Sequence, residues 1–203
     1  MKSMNFFKHS FLYTALLSLL FFSACEDDDP VEEEVPETIT TTILTFTPAG
    51  GGSPLTFEAY DPDGDGPEST TLDDIVLEAN TTYTLTIELL NELLEPTDEE
   101  YNITAEVEEE GEEHMFFFGW SADVFSDPTN GNIQNNREDV NYEDTDDGVL
   151  PIGLETTWTT GEAGSTGSFR VVLKHQPDGI KSATSTVNDG ESDIDHDFDI
   201  TVQ

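Results

Sequence analysis

The stretch Thr82-Tyr83-Thr84-Leu85-Thr86-Ile87-Glu88-Leu89-Leu90 alternates polar and apolar side chains almost without a break. Successive side chains of a strand point to opposite faces, so Tyr83, Leu85, Ile87 and Leu89 share one face while Thr82, Thr84, Thr86 and Glu88 share the other. A helix over the same residues would scatter the apolar groups around its circumference. The stretch therefore predicts a half-buried strand. Working outward, the same reading predicts strands over Ile39–Thr47, Leu55–Tyr60, Ile75–Leu77, Leu154–Thr160, Phe169–His175 and Ile194–Val202. In the second of these, Leu55, Phe57 and Ala59 fall on one face. Met115–Trp120 is apolar throughout, the pattern of a strand covered on both faces. Gly, Pro, Asn and Asp separate these runs, as in Pro48–Pro54.

One segment departs from the pattern. Across Glu99–His114, Ile103, Val107 and His114 recur at helical spacing among Glu106, Glu108, Glu109 and Glu110. This predicts one short amphipathic helix, capped at its start by Thr97 or Asp98 and ended or bent by Gly111. Many short strands with turn signals between them, and a single helix, predict an all-β chain: an immunoglobulin-like antiparallel β-sandwich with one short helix. The final strand carries Asp193, Asp195, Asp197 and Asp199 on one face, so it is expected at a sheet edge with that face in solvent.

The chain has 203 residues, with 45 Asp plus Glu against 6 Lys plus Arg and a formal net charge of −39. Such a field repels phosphate backbones, which excludes nucleic acid as a partner. Cations and basic surfaces are its natural counterparts. With 35% hydrophobic residues, the composition supports one packed core.

The first residues read differently from the rest. Lys2 and Lys8 precede an apolar run over residues 11–22, and no acid occurs before Glu26. That run is too short to cross a bilayer as a helix, which takes about 20 residues. It suits the apolar region of a secretory signal, residues 1–24. Phe22-Ser23-Ala24-Cys25 looks like a bacterial lipobox, in which cleavage precedes a lipidated cysteine. Cys25 is the only cysteine of the chain, so lipidation leaves no thiol for disulfides, metal or catalysis. Residues 25–37 follow as an acidic tether, and 38–203 form the sandwich domain. The expected address is the outer membrane, held through the lipid on Cys25.

Asp61-Pro62-Asp63-Gly64-Asp65-Gly66 is the clearest ligand motif. Calcium loops place acidic oxygens at positions one, three and five and glycine at six, which Asp61, Asp63, Asp65 and Gly66 match. Leu72 stands where the bidentate Glu of an EF-hand would be. Asp-Gly is also an ordinary strand turn, so Ca²⁺ and a plain loop both fit. Asp144–Gly148 and Asp127–Asn132 are shorter echoes and read first as loops. His175 follows Phe169, Val171 and Leu173 in alternation and so points to the core side at its strand end. His114 lies four residues after Glu110. His114 and His175 with a carboxylate would suit Zn²⁺ or another transition metal. His196 alternates with Ile194 and Phe198 and is a weaker candidate. Ala163–Gly167 approaches the nucleophile-elbow pattern, but it lies between two predicted strands with no helix after it. No enzyme is expected.

Phe46–Pro54, Asp61–Pro67, Glu78–Tyr83, Leu90–Glu92, Ile103–His114, Pro151–Leu154, Leu173–His175 and the closing strand resemble a group of small Bacteroidota surface lipoproteins of flavobacterial type. The resemblance spans about residues 36–203. These proteins are loosely labelled "type 1 periplasmic binding fold superfamily", a fold of two doubly wound α/β lobes that the strand periodicity here does not provide. The acidic run after Cys25 resembles the export signal that carries such lipoproteins to the cell surface. The resemblance implies an accessory lipoprotein of an outer-membrane transport system, with a TonB-dependent receptor as partner. It further implies ligand or metal capture, with Asp61, Asp63 and Asp65 at the loop and His114 and His175 at a second site. A calcium-stabilised structural or adhesive sandwich with a protein partner is the alternative.

Overall fold

The structure is a computed structural model that describes residues 37–64, 68–129, 131 and 139–203. These fall within one compact unit, Pro36–Gln203. The leader, Cys25 and most of the acidic tether lie outside the described residues, as does Asp65.

The strands form a two-layer sandwich, the expected all-β architecture with one short α-helix. In chain order they are β1 (Thr41–Pro48), β2 (Leu55–Tyr60), β3 (Thr71–Leu72), β4 (Ile75–Leu77), β5 (Thr82–Leu90), β6 (His114–Trp120), β7 (Phe125–Asp127), β8 (Asn141–Tyr142), β9 (Glu155–Thr160), β10 (Thr166–His175) and β11 (Glu191–Val202). One sheet runs β3-β2-β1-β5-β9-β7, with β8 also paired to β9; the other runs β4-β11-β10-β6. In β5 the four residues Tyr83, Leu85, Ile87 and Leu89 are buried, as the alternation requires.

Aromatic side chains fill the space between the sheets. Phe46 of β1 meets Phe169 of β10 edge-on at 6.2 Å, a contact from one sheet to the other. Trp158 of β9 lies 5.0 Å from Phe169 and 5.5 Å from Phe118 of β6, ring centre to ring centre. Such edge-to-face pairs add to the area term that buries them. The Trp158 indole N–H donates to Thr156 Oγ1 at 2.7 Å, so its polar atom is satisfied inside the core.

All seven residues of β6 are buried. Phe116, Phe118 and Trp120 join the main core, while Met115 and Phe117 pack with Val172 on the opposite side. Although β6 ends its sheet, its outer edge is covered. Phe116 N–H donates to the Ile152 carbonyl at 2.7 Å and Trp120 N–H to the Gly131 carbonyl at 3.3 Å. Covering an apolar edge in this way prevents pairing with another chain.

The helix is shorter than its sequence spacing suggests. A 3₁₀ turn at Glu99–Tyr101 leads into α1, Ile103–Glu109, which buries Ile103 and Val107. His114 belongs to β6 instead. Gly111 sits where a Cβ would come within 2.7 Å of Ile152 Cδ1, and the chain turns there out of the helix. Asp98 flanks the 3₁₀ turn but makes no side-chain cap; its Oδ2 accepts from Glu95 N–H instead.

Two expectations for the last strand are corrected. β11 lies between β10 and β4 instead of at an edge, and it pairs with β4 in parallel, Ile200 opposite Ile75. Only strands joined by tight turns are bound to be antiparallel, and β4 and β11 are far apart in the chain. Nor does its row of aspartates stay in solvent. Asp195, Asp197 and Asp199 are exposed, but the β10–β11 register slips at Leu173/Lys174, pairing Leu173 with Ile194 and Lys174 with Ser192. Asp193 is the extra residue of this bulge, and its side chain is only 2% exposed.

Phe169→Ala would empty the centre of the aromatic layer and is expected to cost about 3–5 kcal/mol. Denaturant unfolding followed by tryptophan fluorescence measures this, with Phe169→Leu expected to lose less. An unchanged midpoint for the alanine variant would mean that these rings do not hold the sheets together.

Candidate metal centre

β6 begins where β10 ends, and their register sets His114 directly opposite His175. The two imidazoles stack 4.7 Å apart with planes 9° from parallel. The structure thus brings together the two histidines that the sequence singled out. His114 is fully buried, and His175 is partly open to solvent.

Three other parts of the chain converge on this pair. Glu37, from the segment leading into β1, places Oε1 3.2 Å from His114 Nε2. Asp193, turned inward by the bulge, places Oδ2 4.0 Å from the same nitrogen. From the end of α1, Glu110 brings both its carboxylate and its carbonyl. Donor atoms of Glu110, His114 and His175 lie within 4.8 Å of one another, as do those of Glu37, Glu106 and Glu110. Glu113 Oε2 is 3.5 Å from His175 Nε2.

The hydrogen bonds assign the tautomer of His114. Its Nδ1 lies 3.2 Å from the Glu110 carbonyl, which can only accept, so Nδ1 carries the hydrogen. In a neutral ring, Nε2 then points a lone pair at two carboxylates. That arrangement is repulsive unless a proton or another cation sits on Nε2. Burial alone would lower the His114 pKa, but the hydrogen bond and charge of Glu37, with the charge of Asp193, hold it above the ordinary histidine value. Burial, then the nearby Glu37, push Asp193 up to about 6. Glu106 is raised as well, by burial and then by Glu37, Glu110 and Glu100. Glu37 Oε2 and Asp193 Oδ2 are buried and accept no hydrogen bond from any described residue. An isolated buried carboxylate is costly, so this pocket is built to hold positive charge.

The surrounding loops hold the cluster in place. Lys181 Nζ donates to the Gly111 carbonyl at 2.5 Å and pairs with Asp146 at 2.8 Å, both side chains almost wholly buried. This pins the turn between Glu110 and His114. Gly190 has φ +77°, and a Cβ there would clash with the His175 carbonyl oxygen, so the hairpin can close onto His175 only with glycine at this position.

The acidic loops differ from this centre. Asp61 Oδ1 accepts from Asp63 N–H and Asp61 Oδ2 from Thr70 Oγ1, while Asp63 Oδ2 accepts from Glu68 N–H. These are turn contacts, and with Asp65 outside the described residues no three-carboxylate set is described there. Asp144 accepts from the N–H groups of Gly153, Leu154 and Glu155 and so serves its own loop, while Asp146 accepts from Leu150 N–H and pairs with Lys181. His196 stands apart from the pair, 3.4 Å from Thr42 Oγ1 and edge-on to Phe198.

Sequence reasoning found the two histidines and Glu110 but missed Glu37, Glu106 and Asp193. Glu37 reads as tether, and Asp193 reads as one of a solvent-facing row. The only sequence signal for Glu106 was its spacing of four from Glu110 on the helix face.

No protein-family model matches this chain, and comparison with curated proteins and with solved structures finds no match.

The raised pKa values have a sign for stability. A group whose pKa rises on folding stabilises the fold below its unfolded value and loses that contribution as pH climbs through the folded value. Asp193 and His114 therefore act together, and the metal-free protein is expected to lose stability from about pH 4 into the neutral range. Asp193→Asn removes the buried carboxylate that faces Glu37, His114, His175 and Lys174. Thermal unfolding in chelator should show this variant more stable than wild type at about pH 8, with the gap narrowing or reversing near pH 5. Parallel curves for the two proteins would contradict the assignment.

Proposed function

We propose that this chain is an outer-membrane lipoprotein, anchored through Cys25 and displayed at the cell surface, whose sandwich captures a transition-metal ion for an outer-membrane transport system. The observation that carries the capture site is the stacked pair His114 and His175 with Glu110 beside it. Two imidazoles and a carboxylate, with solvent access on the His175 side, form a donor set suited to Zn²⁺ and its first-row neighbours. Their donor atoms, within 4.8 Å of one another, would close up to reach one ion at bond lengths of about 2.0–2.2 Å. Glu113 beside His175 and the Glu110 carbonyl beside His114 are the outer partners that orient metal-bound imidazoles. The anchor, the surface address and a TonB-dependent partner rest on the Phe22–Cys25 motif, the acidic run behind it and the resemblance to flavobacterial surface lipoproteins.

Calcium at Asp61, Asp63 and Asp65 is a second reading, in which the ion stiffens a structural or adhesive sandwich. Its support is the buried Asp63 Oδ1, which accepts no hydrogen bond from any described residue.

Thermal unfolding of the full chain in detergent separates the two, with chelator, Zn²⁺ or Ca²⁺ present and excess Mg²⁺ as control for charge screening. A ligand that binds only the folded state raises the midpoint by mass action. The capture reading expects Zn²⁺ at micromolar concentration to raise the midpoint and His175→Ala to abolish the rise. The calcium reading expects a Ca²⁺ rise that Asp63→Ala removes. A Zn²⁺ response equal to that of Mg²⁺, and unchanged in His175→Ala, would sink the capture site.

A further inference from the structure

We propose that Lys181 and Asp146 join covalently: in the folded chain an amide bond forms, with no other reactant, between Lys181 Nζ and Asp146 Cγ. Nζ lies 2.8 Å from Asp146 Oδ2, and the two side chains are 0% and 2% exposed. The Arg170–Asp195 pair is open to water by contrast, its side chains 39% and 44% exposed. Taking both charges of a pair out of water is a costly way to pin a turn if the contact stays ionic. The two groups are also held from their own backbones. Asp146 sits in a closed turn, where its N–H donates to the Leu150 carbonyl at 2.8 Å and its Oδ1 accepts from Leu150 N–H at 2.7 Å. Lys181 N–H donates to the Gln176 carbonyl at 3.1 Å, and the Gly111 carbonyl accepts from Nζ and steers it. Groups fixed in contact react as if at very high concentration, the advantage that a condensation in water otherwise lacks.

The two oxygens of Asp146 have different tasks. A proton passes from Nζ to Oδ2 along their hydrogen bond, a transfer that removes both buried charges and leaves an amine beside a carboxylic acid. The Nζ lone pair then attacks Cγ. Negative charge develops on Oδ1, at which the Leu150 N–H already points, as the donor of an oxyanion hole does. A second Nζ proton moves to the Oδ2 hydroxyl, the Cγ–Oδ2 bond breaks, and Oδ2 leaves as water. Nζ keeps one hydrogen, so ammonium and carboxylate become an amide and one water, with no oxidation or reduction. A cavity of about 250 Å³, lined by both residues with Glu112, Leu150 and Gly179, adjoins the pair and gives that water a way out.

The bond ties the segment between β8 and β9 to the segment between β10 and β11. A cross-link of this kind removes conformations from the unfolded chain, as a disulfide does. With Cys25 as its only cysteine, the chain cannot build a disulfide of its own. The amide needs no thiol and no oxidant, and it forms whether or not metal is bound at the histidines.

The test is trypsin digestion of the full chain, purified in detergent and then denatured, read by mass spectrometry. Wild type is expected to give residues 138–170 joined to residues 175–203, uncleaved after Lys181 and one water lighter than the two peptides together. Fragmentation should place the branch between Asp146 and Lys181. Lys181→Arg keeps the charge but cannot form this amide, and Asp146→Ala removes the acyl group, so each variant should release the two segments unlinked. The wild-type digest decides the matter even if a variant fails to fold. Unlinked wild-type peptides, with normal cleavage after Lys181, would overturn the bond and leave an ion pair only. A branch from Lys181 to any other acid, or a lost water without a branch, would overturn it as well.

Discussion

The packing of Trp158 and Phe169 between the two sheets is the contact on which the rest of this molecule depends. A chain with so large an excess of acids has little else to draw on. Its carboxylates repel one another when compacted, and its few basic residues cannot offset them pairwise. Even the well-formed Arg170–Asp195 pair is exposed and adds little. Cohesion must come from apolar area, concentrated in the rings of Phe46, Phe118, Phe125, Trp158 and Phe169. The strands are the frame that aims these rings inward and the acids outward.

Against that arrangement the histidine end of the sandwich is the exception. There the fold brings carboxylates in from water and sets them beside one another. Glu37, Glu106 and Asp193 come from three separate parts of the sequence and are drawn partly or wholly out of water, with the exposed Glu110 beside them. The turn that carries Glu110 is tied down by a buried lysine pair, and the hairpin that ends at His175 closes over a glycine. A structure that spends rigid contacts to hold like charges together is organised around positive charge, whether proton or metal. Protons answer part of that need, since both Asp193 and His114 hold theirs more tightly than free side chains do. A metal bound there would compete with these protons for the same place.

The legible parts of the sequence were those with local periodicity. Leu55–Tyr60 and Thr82–Leu90 form strands over the residues their patterns marked, because alternation reports which face of a strand meets the core. β3, β7 and β8 have only two or three residues, too few to show a period. The helical segment was read through to His114 because His114 continues the spacing of Ile103 and Val107; Gly111 marked the place where the chain could leave the helix, and the helix ends two residues before it. At the centre, His114 and His175 stood out because histidine is scarce here, whereas Glu37 and Asp193 were hidden among dozens of other acids.

By itself the sequence determined the strands, the single core and the residues that face it, since side-chain direction along a strand is a local property of the backbone. Only the tertiary structure decided which of those strands are neighbours. The pairing of β6 with β10 set His114 against His175, and a one-residue slip between β10 and β11 turned Asp193 inward. Register and bulges arise when distant segments settle their hydrogen bonds together, and no pattern within one segment encodes them. The candidate centre was therefore written in the sequence as residues and assembled only by the fold.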